Sequence, residues 1–418
     1  MKFKNYLLLT EVKQKQLKHL YHIEELVFLQ GYEGAKKTIK IFEQMIDDIG
    51  KHQTKLKTTS KIDGAPSTTA GWDPETGKFF VGTKSLFNKD PKINYTPEDI
   101  DKNHGHAPGL AKKLKLALEY LPKVIKKGNI VAGDFMYDSD DLKIETIDGT
   151  KVITFKPNTI TYAVDLNSSL ADFIKKTKIG IIFHSSYTGS SITSMQVKFN
   201  VSDSMLNKTN DVYFRTVDVE LDTIGWDTET YNRLKEDIRN LKKFLNKMDR
   251  TQINNIADNS KLSQTIMTYM NTKVRNNERF QKNEIGKLID YVSAKYDKEK
   301  FKLKSEKGKL NKETQKQEFI NNLREYASTL YNLFQWVYTA EDIKNIFVKK
   351  LEEIEQPEKS YQLQPDGTYV KVGAEGFVIS DSPDSSVKFV NRSVFSRNNF
   401  MNSTFWYFKG IQWVLRIT

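Results

Sequence analysis

The chain predicts an α+β fold in which antiparallel sheets with helices are interrupted by a large all-helical insertion. Two patterns and the size of the chain carry this. Between residues 58 and 218, and again from 358 onward, short β-branched or apolar runs alternate with clusters of Gly, Pro, Asn and Asp, as in strands joined by turns. Between 223 and 357 apolar side chains instead recur every three or four residues with few breakers, the period of amphipathic helices. With 418 residues, 38% hydrophobic and 28% charged, there is material for two domains and a full core. The boundaries that follow are 1–50 for N-terminal helices packed on the core, 51–222 for the first part of the α+β domain, 223–357 for the insertion and 358–418 for the return of the α+β domain.

Each element has its own signal. Leu17, Leu20, Ile23, Leu26 and Val27 mark a first helix, which Gly31 and Gly34 break. Ile39, Phe42, Met45, Ile46 and Ile49 line one face of a second, which Gly50 ends. Residues 67–72 and 78–83 form a hairpin around Asp73-Pro74-Glu75-Thr76-Gly77. Residues 110–120 are a basic amphipathic helix, and the apolar runs 129–135 and 179–183 read as buried strands with 152–155 and 159–164 between them. Within the insertion, Tyr231 to Met248 and Phe319 to Val337 keep the clearest helical spacing, whereas 295–316 is Lys-rich with few apolar residues and reads as a solvated helix or a mobile loop. A second hairpin, 361–363 with 369–372, turns at Pro365-Asp366-Gly367, and the last strand lies at 386–392.

Chemistry concentrates at Thr59-Ser60-Lys61-Ile62-Asp63-Gly64. A lysine at a strand end, an aspartate two residues on and a glycine that lets the chain turn together present an amine to a ligand. To act as a nucleophile the amine must shed its proton, which burial or neighbouring cations favour. The same residues fit a plain surface turn, so further islands matter: Gly82-Thr83-Lys84-Ser85, Gly133-Asp134-Phe135-Met136-Tyr137, Phe183-His184-Ser185-Ser186-Tyr187, Glu375-Gly376-Phe377-Val378-Ile379 and Val387-Lys388-Phe389-Val390. Glu375 enters a buried strand, a costly place for a carboxylate without a cation or metal to meet. His104 and His106 offer two imidazoles without a third ligand nearby and read as part of a polar loop.

In this order the islands resemble the motifs of the covalent nucleotidyltransferase superfamily, the ATP-dependent RNA and DNA ligases and the mRNA capping enzymes. The wider pattern also looks like an uncharacterised protein family of tailed phages. The resemblance implies a ligase-type nucleotidyltransferase fold with ATP-grasp-like sheets, and ATP and Mg²⁺ as cofactors. It makes Lys61 and Lys388 catalytic. It assigns Ser60, Asp63, Gly64, Lys84, Asp134, Phe183, Glu375, Lys388 and Arg392 to the nucleotide, and Asp63, Asp134 and Glu375 to the metal. Phe183 would stack on adenine, with Tyr162 a rival for that place and a plain core Phe the alternative. Departures are visible: Asp134 stands where those families carry Glu, His184 where Asp follows the aromatic, and Val390 at the second lysine of Lys-x-Lys, with Arg392 the candidate substitute. The insertion falls where those enzymes have a much shorter segment. The short tail leaves no room for the OB domain of DNA ligases and capping enzymes, which tilts the expectation to an RNA-ligase-like enzyme.

The function expected is an ATP-dependent polynucleotide ligase joining 5′-phosphate and 3′-hydroxyl ends through lysyl-AMP. The alternatives are another nucleotidyltransferase, such as an RNA guanylyltransferase, or a catalytically inactive phage nucleic-acid-binding or structural protein that retains the fold. A net charge of +12 favours RNA or nicked DNA as partner. The insertion is a possible docking surface for a protein. No cysteine is present, which excludes disulfides and thiolate catalysis. No apolar run spans a bilayer, and the first ten residues lack the features of a signal peptide. A cytoplasmic location is expected, in the host if phage-encoded, with the virion as the alternative.

Overall fold

The computed structural model describes residues 20–62, 64–364, 366–382 and 385–393. In chain order, helix α1 (Leu26–Lys51) precedes β1 (Lys57–Lys61), β2 (Ser67–Trp72), β3 (Phe79–Gly82), α2 (Pro97–His104) and α3 (Pro108–Tyr120). Strands β4 (Ile130–Asp138), β5 (Lys143–Ile147), β6 (Thr150–Phe155) and β7 (Thr161–Asp165) lead through the short α4 (Ser169–Ile174) to β8 (Ile179–Thr188), β9 (Gln196–Lys198) and β10 (Val212–Thr216). Then come α5 (Thr228–Lys247), α6 (Arg250–Asp258), α7 (Ser260–Arg275), α8 (Ile285–Phe301), α9 (Glu306–Glu325) and α10 (Ala327–Leu351). Strands β11 (Lys359–Leu363), β12 (Tyr369–Val372), β13 (Gly376–Ser382) and β14 (Ser385–Phe389) close the series.

The chain divides into two compact units, one built on 57–220 and 352–387, the other on 21–56, 221–351 and 388–393. The first carries the sheets. Three strands lie in the order β1-β13-β14, six in a sheet β10-β8-β4-β2-β3 with β9 beside β8, and five in the order β12-β11-β7-β6-β5. Strand β1 pairs with β13, β2 with β4 and β4 with β8 in antiparallel fashion, whereas β10 runs parallel to β8. Both predicted hairpins form, with Thr69 opposite Gly82 and Leu363 opposite Tyr369. The first is closed by Asp73, which accepts from the Thr76 hydroxyl, the Glu75 N–H and the Tyr95 hydroxyl at 2.6 Å. Those hydrogen bonds outweigh partial burial and hold its carboxyl below the usual range.

The six-stranded sheet is buried on both faces, which is why β4 and the start of β8 read as unbroken apolar runs. On one face Ala111, Leu114 and Ala117 of α3 pack on Val81, Val131, Phe135 and Phe183. On the other, Phe80, Phe87, Ala132, Tyr187 and Val197 form a second cluster.

The second unit is helical. Helix α1 belongs to it, not to the sheet core as the domain boundaries had it: Trp226 Nε1 donates to Ile46 O, Lys242 pairs with Glu43 and Arg250 with Glu33. Gly31 kinks this one helix rather than ending it. Its φ of 58° is left-handed, and a Cβ there would sit 2.3 Å from Asn254 Oδ1, which accepts from Tyr32 N–H. Residues 295–316 form neither a loop nor a lone helix but the α8–α9 hairpin. No helix among the described residues is long and apolar enough to cross a membrane.

Candidate active site

Lys61 ends β1, directly opposite Gly376 at the start of β13. That register brings the lysine beside the residue before Gly376, and Lys61 Nζ forms an ion pair with Glu375 Oε1. The Lys61 side chain is 31% exposed and that of Glu375 10%, so the pair sits at an opening rather than in the core. Behind it lies a cavity of about 580 Å³ in the first unit, with Lys61, Ser60, Lys84, Asp134 and His184 in its lining. Ser60 is buried, and its hydroxyl lies 3.4 Å from Gln356 Oε1.

The turn after Lys61 is clamped to β4. Ala65 N–H donates to Phe135 O at 2.9 Å, and Phe135 N–H to Pro66 O at 3.1 Å. Gly64 is required by close approach: a Cβ there would lie 2.5 Å from Asp134 Cβ and 3.0 Å from Phe135 O. The Lys-x-Asp-Gly sequence is thus the part of the chain that leans on the strand carrying Asp134. Asp63 lies outside the described residues.

Alternation along β4 and β8 decides which predicted residues reach the cavity. Asp134 shares the cavity face with Ala132, and Ile182 shares it with His184, so Phe183 between them faces α3 and is buried there against Phe214. The base-stacking role expected of Phe183 therefore finds no support in its position. The plain-core alternative describes it. Tyr162 is likewise buried, stacked on Phe155 in the five-stranded sheet. At His184 the ladder slips: Ser185 pairs Ala132 while Phe183 pairs Gly133, leaving His184 as the extra residue of a β-bulge. The bulge switches faces, so Tyr187 turns into the cavity wall, stacked on Phe87 with centroids 5.6 Å apart. Burial pushes the Tyr187 phenol up to about 12. Tyr187 was given no role from sequence, because two-residue periodicity cannot see a bulge.

His184 stands between its neighbours: Nδ1 is 2.8 Å from Ser185 Oγ and Nε2 is 3.7 Å from Asp134 Oδ1. Lys84 starts a short 3-10 turn instead of ending a strand, and its side chain is exposed at the lining. Two predicted residues, Lys388 and Arg392, do not line the cavity. Lys388 donates its backbone N–H to Tyr21 O. Arg392, expected at the nucleotide, is 3% exposed and meets Glu25 at 3.0 Å, Glu24 at 3.6 Å and the Asn271 side chain. Glu24 also pairs with the fully buried Lys344 at 2.7 Å, and burial raises the Glu25 carboxyl.

For a metal, the cavity region offers Asp134 and Glu375. Among the described residues no three or more His, Asp or Glu side chains gather to form a protein-only cage. His104 is buried at the end of α2, where burial and the nearby Lys92 and His106 charges keep it below the usual range, while His106 is exposed.

No curated protein and no solved structure matches the chain. One family model does, over residues 17–404, and the chain belongs to that family, described as a family of unknown function (DUF6267).

Proposed function

We propose that the chain is an ATP-dependent nucleotidyltransferase of the polynucleotide-ligase kind, RNA-ligase-like, acting through lysyl-AMP. One observation carries the reading: a strand-end lysine paired with a carboxylate at a cavity whose lining also carries Asp134. A volume of 580 Å³ lies within the roughly 300–1,000 Å³ of small-molecule sites, which suits a nucleotide. Tyr187 and Phe87 supply apolar and aromatic wall for a base, in place of Phe183.

In this reading Lys61 Nζ gives a proton to solvent water and bonds to the α-phosphorus of ATP. The α-phosphorus to bridging-oxygen bond breaks, and pyrophosphate departs with the electron pair. Release from Glu375 lowers the cost of deprotonating Lys61, since a carboxylate favours the ammonium form. Lys84 is the exposed cation of the lining that would meet phosphate charge. Asp134 and Glu375 are the residues that would hold Mg²⁺. Two carboxylates completed by substrate phosphates are a common Mg²⁺ arrangement and fit this donor set. The ion would neutralise phosphate charge. AMP then passes from Lys61 to a 5′-phosphate end, and a 3′-hydroxyl displaces it.

A non-catalytic binding protein that keeps the fold is the second reading, favoured by the burial of Phe183 and Arg392. Incubation with α-³²P-labelled ATP or GTP and Mg²⁺, followed by denaturing electrophoresis, separates the two. Label from ATP that disappears in Lys61→Ala supports the ligase reading. Label from GTP alone turns it to a guanylyltransferase. An unlabelled, folded, nucleotide-free protein removes the catalytic reading.

A further inference from the structure

The α8–α9 hairpin ends in a tip whose chemistry the nucleotidyltransferase reading does not use. Its stem is locked by ion pairs between the two helices: Lys300 with Glu313 at 2.5 Å, Lys312 with Glu299 at 2.8 Å and Lys316 with Asp297 at 2.8 Å. Ser305 caps α9, its hydroxyl accepting from Gly308 N–H. The charges on the stem thus neutralise one another. At the tip they do not. Residues 298–310 hold six lysines, of which Lys300 pairs with Glu313 across the stem and Lys309 with Glu306, which leaves four. Lys298, Lys302, Lys304 and Lys307 are exposed, and among the described residues they make no ion pair. Beside them Phe301 is 90% exposed and Leu310 68%. A helix end that leaves a phenylalanine almost wholly in water gains nothing in folding from it.

We propose that this tip is a binding site for single-stranded nucleic acid, with Phe301 stacking on an unpaired base and Lys298, Lys302, Lys304 and Lys307 meeting the flanking phosphates. Charge complementarity selects the partner. Unpaired lysines surround one aromatic ring, which is the composition of single-strand platforms: cations along the backbone and a ring that any base can cover. A membrane surface fits less well, because an interfacial helix buries a whole apolar face and the tip offers only two large exposed apolar side chains among its lysines. This site is independent of Lys61 chemistry.

The test uses the full chain, its Phe301→Ala variant and a variant with the four lysines replaced by Gln. Binding of fluorescein-labelled single-stranded RNA and DNA and of a matched duplex is followed by anisotropy across a salt series. Phe301→Ala is expected to weaken single-strand binding by roughly 5- to 150-fold and to leave duplex binding nearly unchanged. The lysine variant is expected to reduce the slope of log K against log salt by about 3. Circular dichroism and Lys61 labelling should match the parent in both variants, so a failed labelling assay leaves this site untouched. Three results would overturn it: single-strand binding equal in parent and variants, anionic vesicles rather than oligonucleotides losing affinity with the substitutions, or Phe301→Ala altering oligomeric state and not strand binding.

Discussion

Gly64→Ala is a sharp perturbation of the site because it removes nothing. The added methyl would lie 2.5 Å from Asp134 Cβ, 3.0 Å from Phe135 O and 3.2 Å from Met136 Sδ. Carbon atoms settle at about 3.5–4.0 Å, so the turn and β4 must part by roughly 1 Å. The turn cannot give freely, since Ala65 N–H and Pro66 O are both bonded to Phe135. Overpacking of this kind costs about 1–3 kcal/mol, a melting shift of roughly 3–10 °C for a unit of this size. The same displacement separates Lys61 from Asp134, and a shift near 1 Å at a reacting centre costs on the order of 100-fold in rate. Gly109→Ala is the control: it lies in α3 with nothing within 4 Å of the new methyl, and should be neutral or gain about 0.5–1 kcal/mol. Thermal unfolding and the rate of lysine labelling would be measured side by side. If Gly64→Ala behaves like Gly109→Ala in both, the clamp between the lysine turn and β4 is not what organises the site.

Other consequences can be checked separately. Glu358 is buried and receives both the Tyr213 hydroxyl and the Arg215 guanidinium, the latter at 2.9 Å, so Glu358→Ala should cost about 3–5 kcal/mol in denaturant unfolding by stranding a buried cation. Phe183→Leu should lower stability with little change in KM for ATP, whereas Tyr187→Leu should raise that KM; the reverse pattern would restore Phe183 as the base platform. Glu313 is held down from 4.5 to about 2, first by its hydrogen bond from Lys300 and then by Gln317 and Lys316. A carboxylate depressed in the folded state stabilises above its unfolded pKa and loses that contribution as pH falls through the folded one. The melting difference between parent and Glu313→Gln should thus be full at pH 7 and close between about pH 4.5 and 2, as scanning calorimetry would show.

Local rules carried much of the fold. The turn residues Asp73 to Gly77 and Asp366-Gly367 announced their hairpins, and the apolar runs at 130 and 179 announced central strands. What stayed hidden was non-local. Nothing in the sequence of α1 reveals that its partners are Asn254 and Trp226, and the parallel pairing of β10 with β8 has no local signature. At the candidate site, Lys61, Glu375 and Asp134 drew notice in the sequence because a charged side chain entering or leaving an apolar strand needs a reason. Arg392 misled for the complementary cause: its carboxylate partners come from the far end of the chain, and a free cation and a buried pair look alike in sequence. The bulge at His184 is a further case, since the extra residue shows only in the register with β4.

The central claim is that Lys61 forms a covalent bond to a nucleotide. Peptide mass spectrometry of the protein after incubation with ATP and Mg²⁺ tests it most directly. The account predicts an AMP adduct on the peptide containing Lys61, discharged by pyrophosphate and absent from Lys61→Ala. Folded protein that carries no adduct, or carries it on another residue, would contradict it.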